Sequence, residues 1–301
     1  MNLNWLASAS ASAFHAAAAI AQGRTLIESP LAEALASPTA SLIAELTAAG
    51  IGVEAFFGHA VPLAAAFENN RELAGRVLSK LGRGDHELLA GRLAGWISQL
   101  ESAFQNTVPG VVDELELRSG PLREQWEARG PGLLAAISRR TEPGLLAESA
   151  EVIFVFPALG GDAEAHLAYN KITIEAVLTN RQADLPEVAR LGWLLATLNL
   201  DLPKYAEAIP RERLCRVAKL AMLPAALAGA ADVELMPAGA GSLAAAIGAW
   251  RLVAADGLAE TLEGWWQTYQ EARPAWSVAL AALDRLLYAS TIRLASQSQA
   301  S

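Results

Sequence analysis

Acidic residues and a histidine alternate after a pair of glycines, in the segment Gly-Gly-Asp-Ala-Glu-Ala-His. If the segment is extended, Asp162, Glu164 and His166 project to one side, because side chains alternate between the faces of an extended chain. Carboxylate oxygens and imidazole nitrogens are ligands for divalent metal ions. The same spacing is typical of a solvated loop, which is the interpretation we favour. No cofactor is predicted, and a divalent metal at these three residues is the alternative.

Two more glutamates follow at positions that suit acid–base chemistry. Glu175 ends the run Lys-Ile-Thr-Ile-Glu, and Glu187 stands at the start of a strongly apolar segment. A carboxylate held in a cleft can act as a general base, so Glu175 and Glu187 are the candidate catalytic residues. The simpler interpretation of Glu187 is that it complements a helix dipole and pairs with Arg190 three residues later.

The elements that would position these residues are a few strands among many helices. Val152–Phe156 is a β-branched and aromatic run that predicts a buried central strand within 151–157. Residues 167–178 alternate in polarity and predict a half-exposed edge strand, and 111–118 alternates partially and predicts a further strand. Helical periodicity dominates elsewhere. The predicted fold class is α+β, predominantly α-helical, with a small mixed sheet.

A buried helix is predicted after the edge strand, from Asp184 to about Asn199. Asp184 and Glu187 have the spacing of a capping box. The body of this helix is apolar almost all round, which indicates a central position rather than a surface one. The start of the chain also predicts a helix rather than a secretory signal, because no lysine or arginine precedes Arg24.

Composition changes after Pro109-Gly110. The first part, 1–108, is alanine-rich with helical periodicity, whereas 109–301 contains the predicted strands and a set of closing helices. We therefore predict an N-terminal helical region and an α+β region, which could equally form one continuous domain.

The order of an edge strand followed by a helix resembles the catalytic half of zincin metallopeptidases. In that family the edge strand pairs with the peptide substrate, and the helix carries two histidines and a glutamate around zinc. The equivalent positions in this chain run from Pro186 to Arg190, and among them only Glu187 matches. The resemblance implies a degenerate metallopeptidase-like scaffold without the zinc ligands of the family.

Two other motifs are incomplete. His86-Glu87 begins a His-Glu-x-x-His pattern, but Ala90 stands where the second histidine is required, so a helix start capped by Asp85 is the better interpretation. Gly239 and Gly241 precede a helix but lack the remaining glycine of a nucleotide-binding loop, and Ser242 is read there as a helix cap.

Charge and cysteine content limit the function classes. The chain has 23 basic and 32 acidic side chains, a net charge of −9, which disfavours nucleic acid and anionic membrane as partners. A single cysteine, Cys215, is consistent with the cytoplasm. Eight tryptophans suggest an interaction surface for an unknown protein partner or for self-association. A non-catalytic binding domain is therefore the favoured function, and a metal-dependent hydrolase is the alternative.

Overall fold

The computed structural model describes residues 1–83, 87–178, 184–237, 243–252 and 256–298, with side chains described as far as residue 288. The predictions for Asp85, His86, Gly239, Gly241 and Ser242 lie outside these residues. Four strands lie within the described ranges: β1 (Asn2–Ala7), β2 (Ser149–Val155), β3 (Ala163–His166) and β4 (Lys171–Glu175). The helices are α1 (Ala9–Ala21), α2 (Ser29–Ala48), α3 (Val53–Ala64), α4 (Asn70–Lys80), α5 (Glu87–Thr107), α6 (Val111–Arg140), α7 (Glu187–Thr197), α8 (Pro203–Ala206), α9 (Arg211–Asp232), α10 (Leu243–Ala249), α11 (Leu258–Ala272) and α12 (Trp276–Ser298).

The fold is α+β and predominantly helical, as predicted, with one small mixed sheet. The strand order is β1-β2-β4-β3, in which β2 and β4 are parallel and β3 and β4 are antiparallel. The predicted central strand is confirmed: Val152, Ile153, Phe154 and Val155 of β2 are all essentially inaccessible to solvent. Their β-branched and aromatic side chains suit a strand that is covered on both faces.

The predicted strand at 111–118 is wrong, because these residues begin the long helix α6. Val111 and Leu115, one helical turn apart, are buried, whereas Leu117 is exposed. Nε of Arg118 donates to Oε1 of Glu114 at 2.7 Å, an i,i+4 pair that a helix brings together and a strand would not. The apparent alternation of this segment is therefore part of a helical pattern, in which residues one turn apart share the buried face.

The predicted edge strand at 167–178 is also corrected. Its strand, β4, lies between β2 and β3, and β3 forms the edge instead. Alternation normally indicates one solvated face, but here the polar side chains of Thr173 and Glu175 are buried. Both have hydrogen-bond partners inside the protein, and these partners make burial of a polar face possible.

The chain starts with a strand rather than with the predicted helix. In β1 the side chains alternate between polar and apolar from Asn2 to Trp5, and the indole of Trp5 stacks on Phe154 with ring centroids 5.6 Å apart. The predicted helix follows as α1, where the hydroxyl of Ser8 accepts a hydrogen bond from the backbone N–H of Ala11. A serine cap of this kind marks the true helix start.

The described chain divides into two compact units that are interleaved in sequence. Unit 2 contains 3–121 and 151–178, and unit 1 contains 1–2, 122–150 and 179–301. In unit 2, α1 packs against α2, α3 and α5, and α3 also contacts β4. In unit 1, α9 packs against α7, α11 and α12.

Helix α7 is buried along its length, which confirms the predicted central helix at 184–199. The predicted cap is wrong: the helix starts at Glu187 after Pro186, no side-chain cap is formed, and Asp184 is exposed. Pro186 explains the difference, because a proline disfavours the helical conformation of the residue before it, and a helix capped by Asp184 would require Leu185 to be helical. Helix α9 is long and apolar enough to cross a membrane, but 67% of its apolar window is buried inside the protein, as in the core helices of soluble proteins.

Candidate functional site

The carboxylate of Glu175, at the end of β4, is the centre of a buried hydrogen-bond network in unit 2. Its Oε1 accepts from the backbone N–H of Leu159 at 2.7 Å, and its Oε2 accepts from Gly161 at 2.6 Å and from Asp162 at 2.8 Å. Glu175 is only 2% exposed. A buried charge requires such compensation, so these three amides explain how an acidic residue is tolerated inside the fold.

The loop that wraps this carboxylate depends on its two glycines. Gly160 and Gly161 have φ angles of 74° and 109°, in the region that residues with a Cβ rarely adopt. This backbone path turns the N–H groups of Leu159, Gly161 and Asp162 toward one point, forming an anion-binding concavity that Glu175 occupies. The Gly-Gly pair is therefore explained by the geometry of the loop between β2 and β3.

His15 of α1 completes the network. Its Nε2 lies 2.8 Å from Oε1 of Glu175, and its side chain is 12% exposed. Because a carboxylate can only accept, Nε2 carries a proton, and in the neutral imidazole Nδ1 is then the acceptor. Nδ1 has no hydrogen-bond partner in the part of the chain that the structure describes. The arrangement of a buried carboxylate that orients an imidazole is the one that catalytic and ligand-binding histidines use.

A small polar pocket lies beside His15. Its volume is about 130 Å³, below the range of about 300–1,000 Å³ that drug-sized ligands occupy, so it suits only a small molecule or ion. Three of its lining residues are acidic and one is a permanent cation. The lining comprises His15, Ala18, Ala19, Gln22, Arg24, Glu54, Phe57, Gly58, Val61, Asp162, Glu164, His166 and Thr173.

The three predicted metal ligands all line this pocket, each in a different situation. Nη1 of Arg24 donates to Oδ2 of Asp162 at 2.8 Å. Glu164 is exposed on β3, and Nε2 of His166 lies 2.8 Å from the hydroxyl of Thr173 on the neighbouring β4. The expectation that they project to one side agrees with this common lining. Among the described residues, however, no group of three histidine, cysteine or acidic side chains has the geometry to hold a metal ion.

Of the two candidate catalytic glutamates, only Glu175 belongs to this network. Glu187 is in unit 1, where Nη1 of Arg190 lies 3.6 Å from its Oε2, as the i,i+3 spacing predicted. The positions that correspond to zinc ligands in zincins are Pro186, which has no ligating atom, and Arg190, which is a buried cation. These residues do not fit a zinc ion.

Three ionisable residues of the pocket are not among the candidates that the sequence provides: His15, Arg24 and Glu54. His15 lies 160 positions before Glu175, and no local pattern links them. The sequence contains only a weak indication of His15: this histidine interrupts an alanine-rich apolar helix. A histidine in a buried helix requires a polar partner.

No family model, curated protein or solved structure matches this chain. The geometry of unit 2 is therefore the basis on which we infer a function.

Proposed function

We propose that the chain is a binding protein whose unit 2 holds a small cationic ligand, an ammonium or guanidinium compound, in the pocket beside His15. The observation that carries this proposal is the pocket lining, in which Glu54, Asp162 and Glu164 meet a single permanent cation, Arg24. With neutral histidines, the formal charge of the lining is negative, and a cation is the ligand that complements it.

The His15–Glu175 pair supports the same class of ligand. Because Nε2 of His15 donates to Glu175, the neutral ring presents Nδ1 as an acceptor. An ammonium or guanidinium group carries several N–H donors and no acceptor, so it can satisfy both an imidazole nitrogen and a carboxylate. The negative net charge of the chain would also attract such a ligand from solution.

Isothermal titration calorimetry with ethylammonium and guanidinium chloride tests the proposal, with acetate as the ligand of opposite charge. Glu54 is exposed and makes no ion pair or hydrogen bond with another described residue, so Glu54→Gln removes charge without disturbing the fold. We expect both cations to bind and Glu54→Gln to weaken binding about three- to fivefold. Glu33→Gln, at an exposed site away from the pocket, is the matched control. Equal binding of acetate, or no heat with either cation, would contradict the proposal.

His15→Gln separates ligand binding from folding. A glutamine at this position can still donate to Glu175 but has no nitrogen acceptor in place of Nδ1. We expect affinity for the cation to fall about five- to tenfold, while the unfolding midpoint stays close to that of the unmodified protein. A large loss of stability with unchanged affinity would instead assign His15 a purely structural role.

A metal-dependent hydrolase is the second candidate, because Asp162, Glu164 and His166 line the same pocket. Metal analysis of the tag-free protein by mass spectrometry, with unfolding measured with and without chelator, tests it. Stoichiometric metal that is lost in His166→Ala would favour this candidate over the cation-binding proposal. Metal-free protein whose unfolding does not respond to chelator would reject it.

A further inference from the structure

A second groove lies within unit 1, between α8 and α12. Its volume is about 390 Å³, inside the range of about 300–1,000 Å³ that is typical of small-molecule sites. The apolar part of its lining consists of Ala208, Val278 and Ala281. The remaining lining residues are Lys204, Tyr205, Glu207, Ser277 and Arg285.

Tyr205 supplies an observation that the packing of unit 1 does not explain. The residue is 1% exposed, and its hydroxyl is buried without a hydrogen-bond partner among the described residues. A buried tyrosine hydroxyl normally finds a partner, because leaving it without one is unfavourable. The hydroxyl of Tyr205, a residue that lines the groove, therefore has an unmet requirement for an acceptor.

The charges around the groove indicate what kind of acceptor would fit. Lys204 and Arg285 are exposed, and neither forms an ion pair with another residue in the described ranges. The ammonium of Lys204 lies 4.4 Å from the ring centroid of Tyr205, which places a cation beside the aromatic residue. Against these two cations the lining has one carboxylate, Glu207. The groove is thus net positive in a chain whose net charge is −9.

We propose that this groove binds an aliphatic carboxylate, with the oxyanion at Lys204, Arg285 and Tyr205 and the hydrocarbon chain against Val278 and Ala281. Guanidinium, ammonium and hydroxyl groups all donate to a carboxylate, and an arginine can do so through two parallel hydrogen bonds. The small apolar side chains leave room for an unbranched chain beside them. This site is independent of the cation pocket of unit 2, since the two share no residue.

Calorimetric titration of the full chain with hexanoate, hexanol and hexylammonium tests the proposal. We expect hexanoate to bind at least tenfold more tightly than the alcohol or the amine, because only the carboxylate accepts from all three groups. Comparable binding of hexanol would show a merely apolar groove and overturn the proposal, as would the absence of hexanoate binding. Hexylammonium binding that weakens about three- to fivefold in Glu54→Gln belongs to the pocket of unit 2, and a hexanoate preference over hexanol then still supports the proposal.

A carboxylate at the end of a peptide has the same chemistry as a free aliphatic acid. N-acetyl-alanyl-leucine and its C-terminal amide distinguish the two sources. Tighter binding of the peptide acid than of hexanoate assigns the groove to chain termini, and the reverse order assigns it to free acids. Either order supports carboxylate recognition, whereas equal binding of the acid and the amide overturns it.

Tyr205→Phe gives the sharpest test, because a hydroxyl that binds ligand and a hydroxyl that stabilises the fold predict different results. Removing a buried hydroxyl that has no partner should leave the unfolding midpoint of the free protein unchanged or raise it. Hexanoate affinity should nevertheless fall about tenfold.

Arg285→Gln should weaken binding about tenfold or more, and Arg211→Gln, an exposed arginine outside the groove, is its control. Unchanged affinity in Tyr205→Phe and Arg285→Gln would overturn the assignment.

Discussion

Nε2 of His15 lies 2.8 Å from Oε1 of Glu175, although the two residues are 160 positions apart in the chain. This contact joins α1 to the end of β4 within unit 2. The same carboxylate accepts from three backbone amides of the loop after β2. One buried side chain therefore holds a helix and a glycine loop in fixed positions beside the pocket.

Glu175→Gln should reduce the free energy of unfolding by about 2–5 kcal/mol. Each carboxylate oxygen accepts two N–H groups, so an amide NH₂ in place of either oxygen deprives two donors of their acceptor, at about 1–3 kcal/mol each. Urea unfolding followed by circular dichroism measures the change. Glu33→Gln, an exposed control, should shift the free energy by less than about 0.5 kcal/mol. Equal stability of the two variants would show that the network contributes little.

Gly161→Ala should destabilise the protein by about 1–3 kcal/mol through backbone strain alone. The φ angle of Gly161 is 109°, whereas a Cβ built there meets only Val177 Cγ1, at 3.9 Å, so steric overlap is not the cause. Gly91→Ala in α5 is the matched control, because Gly91 is helical and its added Cβ would meet nothing. That variant should gain up to about 1 kcal/mol. Thermal or urea unfolding measures the stability of both variants. A change in the free energy of unfolding with the same sign in both would contradict this prediction.

The fold class and the buried elements could be predicted from the sequence because they depend on local patterns. The β-branched run Val152–Phe156 indicated a covered strand, and the apolar segment of α7 indicated a central helix. The strand prediction for 111–118 is wrong because the spacing of its few apolar residues fits a strand as well as the first turns of a helix. Alternation of polarity predicts an edge position for β4, and this prediction is wrong because the polar residues Thr173 and Glu175 have buried partners that no local pattern reveals.

The site could be predicted only in part for the same reason. Asp162, Glu164 and His166 are neighbours in sequence, so their shared pocket follows from a short extended segment. His15 and Glu54 reach the pocket through the packing of α1 and α3, and Arg24 reaches it from the connection after α1. This packing depends on contacts between distant parts of the chain. Glu175 and Glu187 are both candidate catalytic residues by their chemistry, but they belong to different units, which no sequence pattern reveals.

Gly192→Ala should destabilise unit 1, although alanine is the better helix former. A Cβ at Gly192 of α7 would lie 2.3 Å from Cδ2 of Leu133 and 3.1 Å from its Cγ, and Leu133 is fully buried in α6. Overpacking costs about 1–3 kcal/mol, against a gain in helix propensity of up to about 1 kcal/mol. We expect a net loss of about 1–2 kcal/mol in urea unfolding.

Gly264→Ala in α11 is the control for this packing effect, because a Cβ there would meet no atom within 4 Å. It should stabilise the protein by up to about 1 kcal/mol. A gain in stability for Gly192→Ala equal to that of the control would mean that Leu133 moves aside freely, and that α6 and α7 are not closely packed at this point.

Asp201→Asn should stabilise the protein at pH 7 and have no effect near pH 3. Burial raises the pKa of Asp201 above its ordinary value of 3.8, and a hydrogen bond to its own backbone opposes this only in part. The fold thus favours the protonated carboxyl: its contribution to stability is complete below pH 3.8 and is lost as the pH rises through the folded-state pKa. Asparagine stays neutral throughout and avoids that loss. Urea unfolding of both proteins at pH 3 and pH 7 measures the difference, and lower stability of Asp201→Asn at pH 7 would show that the charged carboxylate makes a favourable contact in the folded protein.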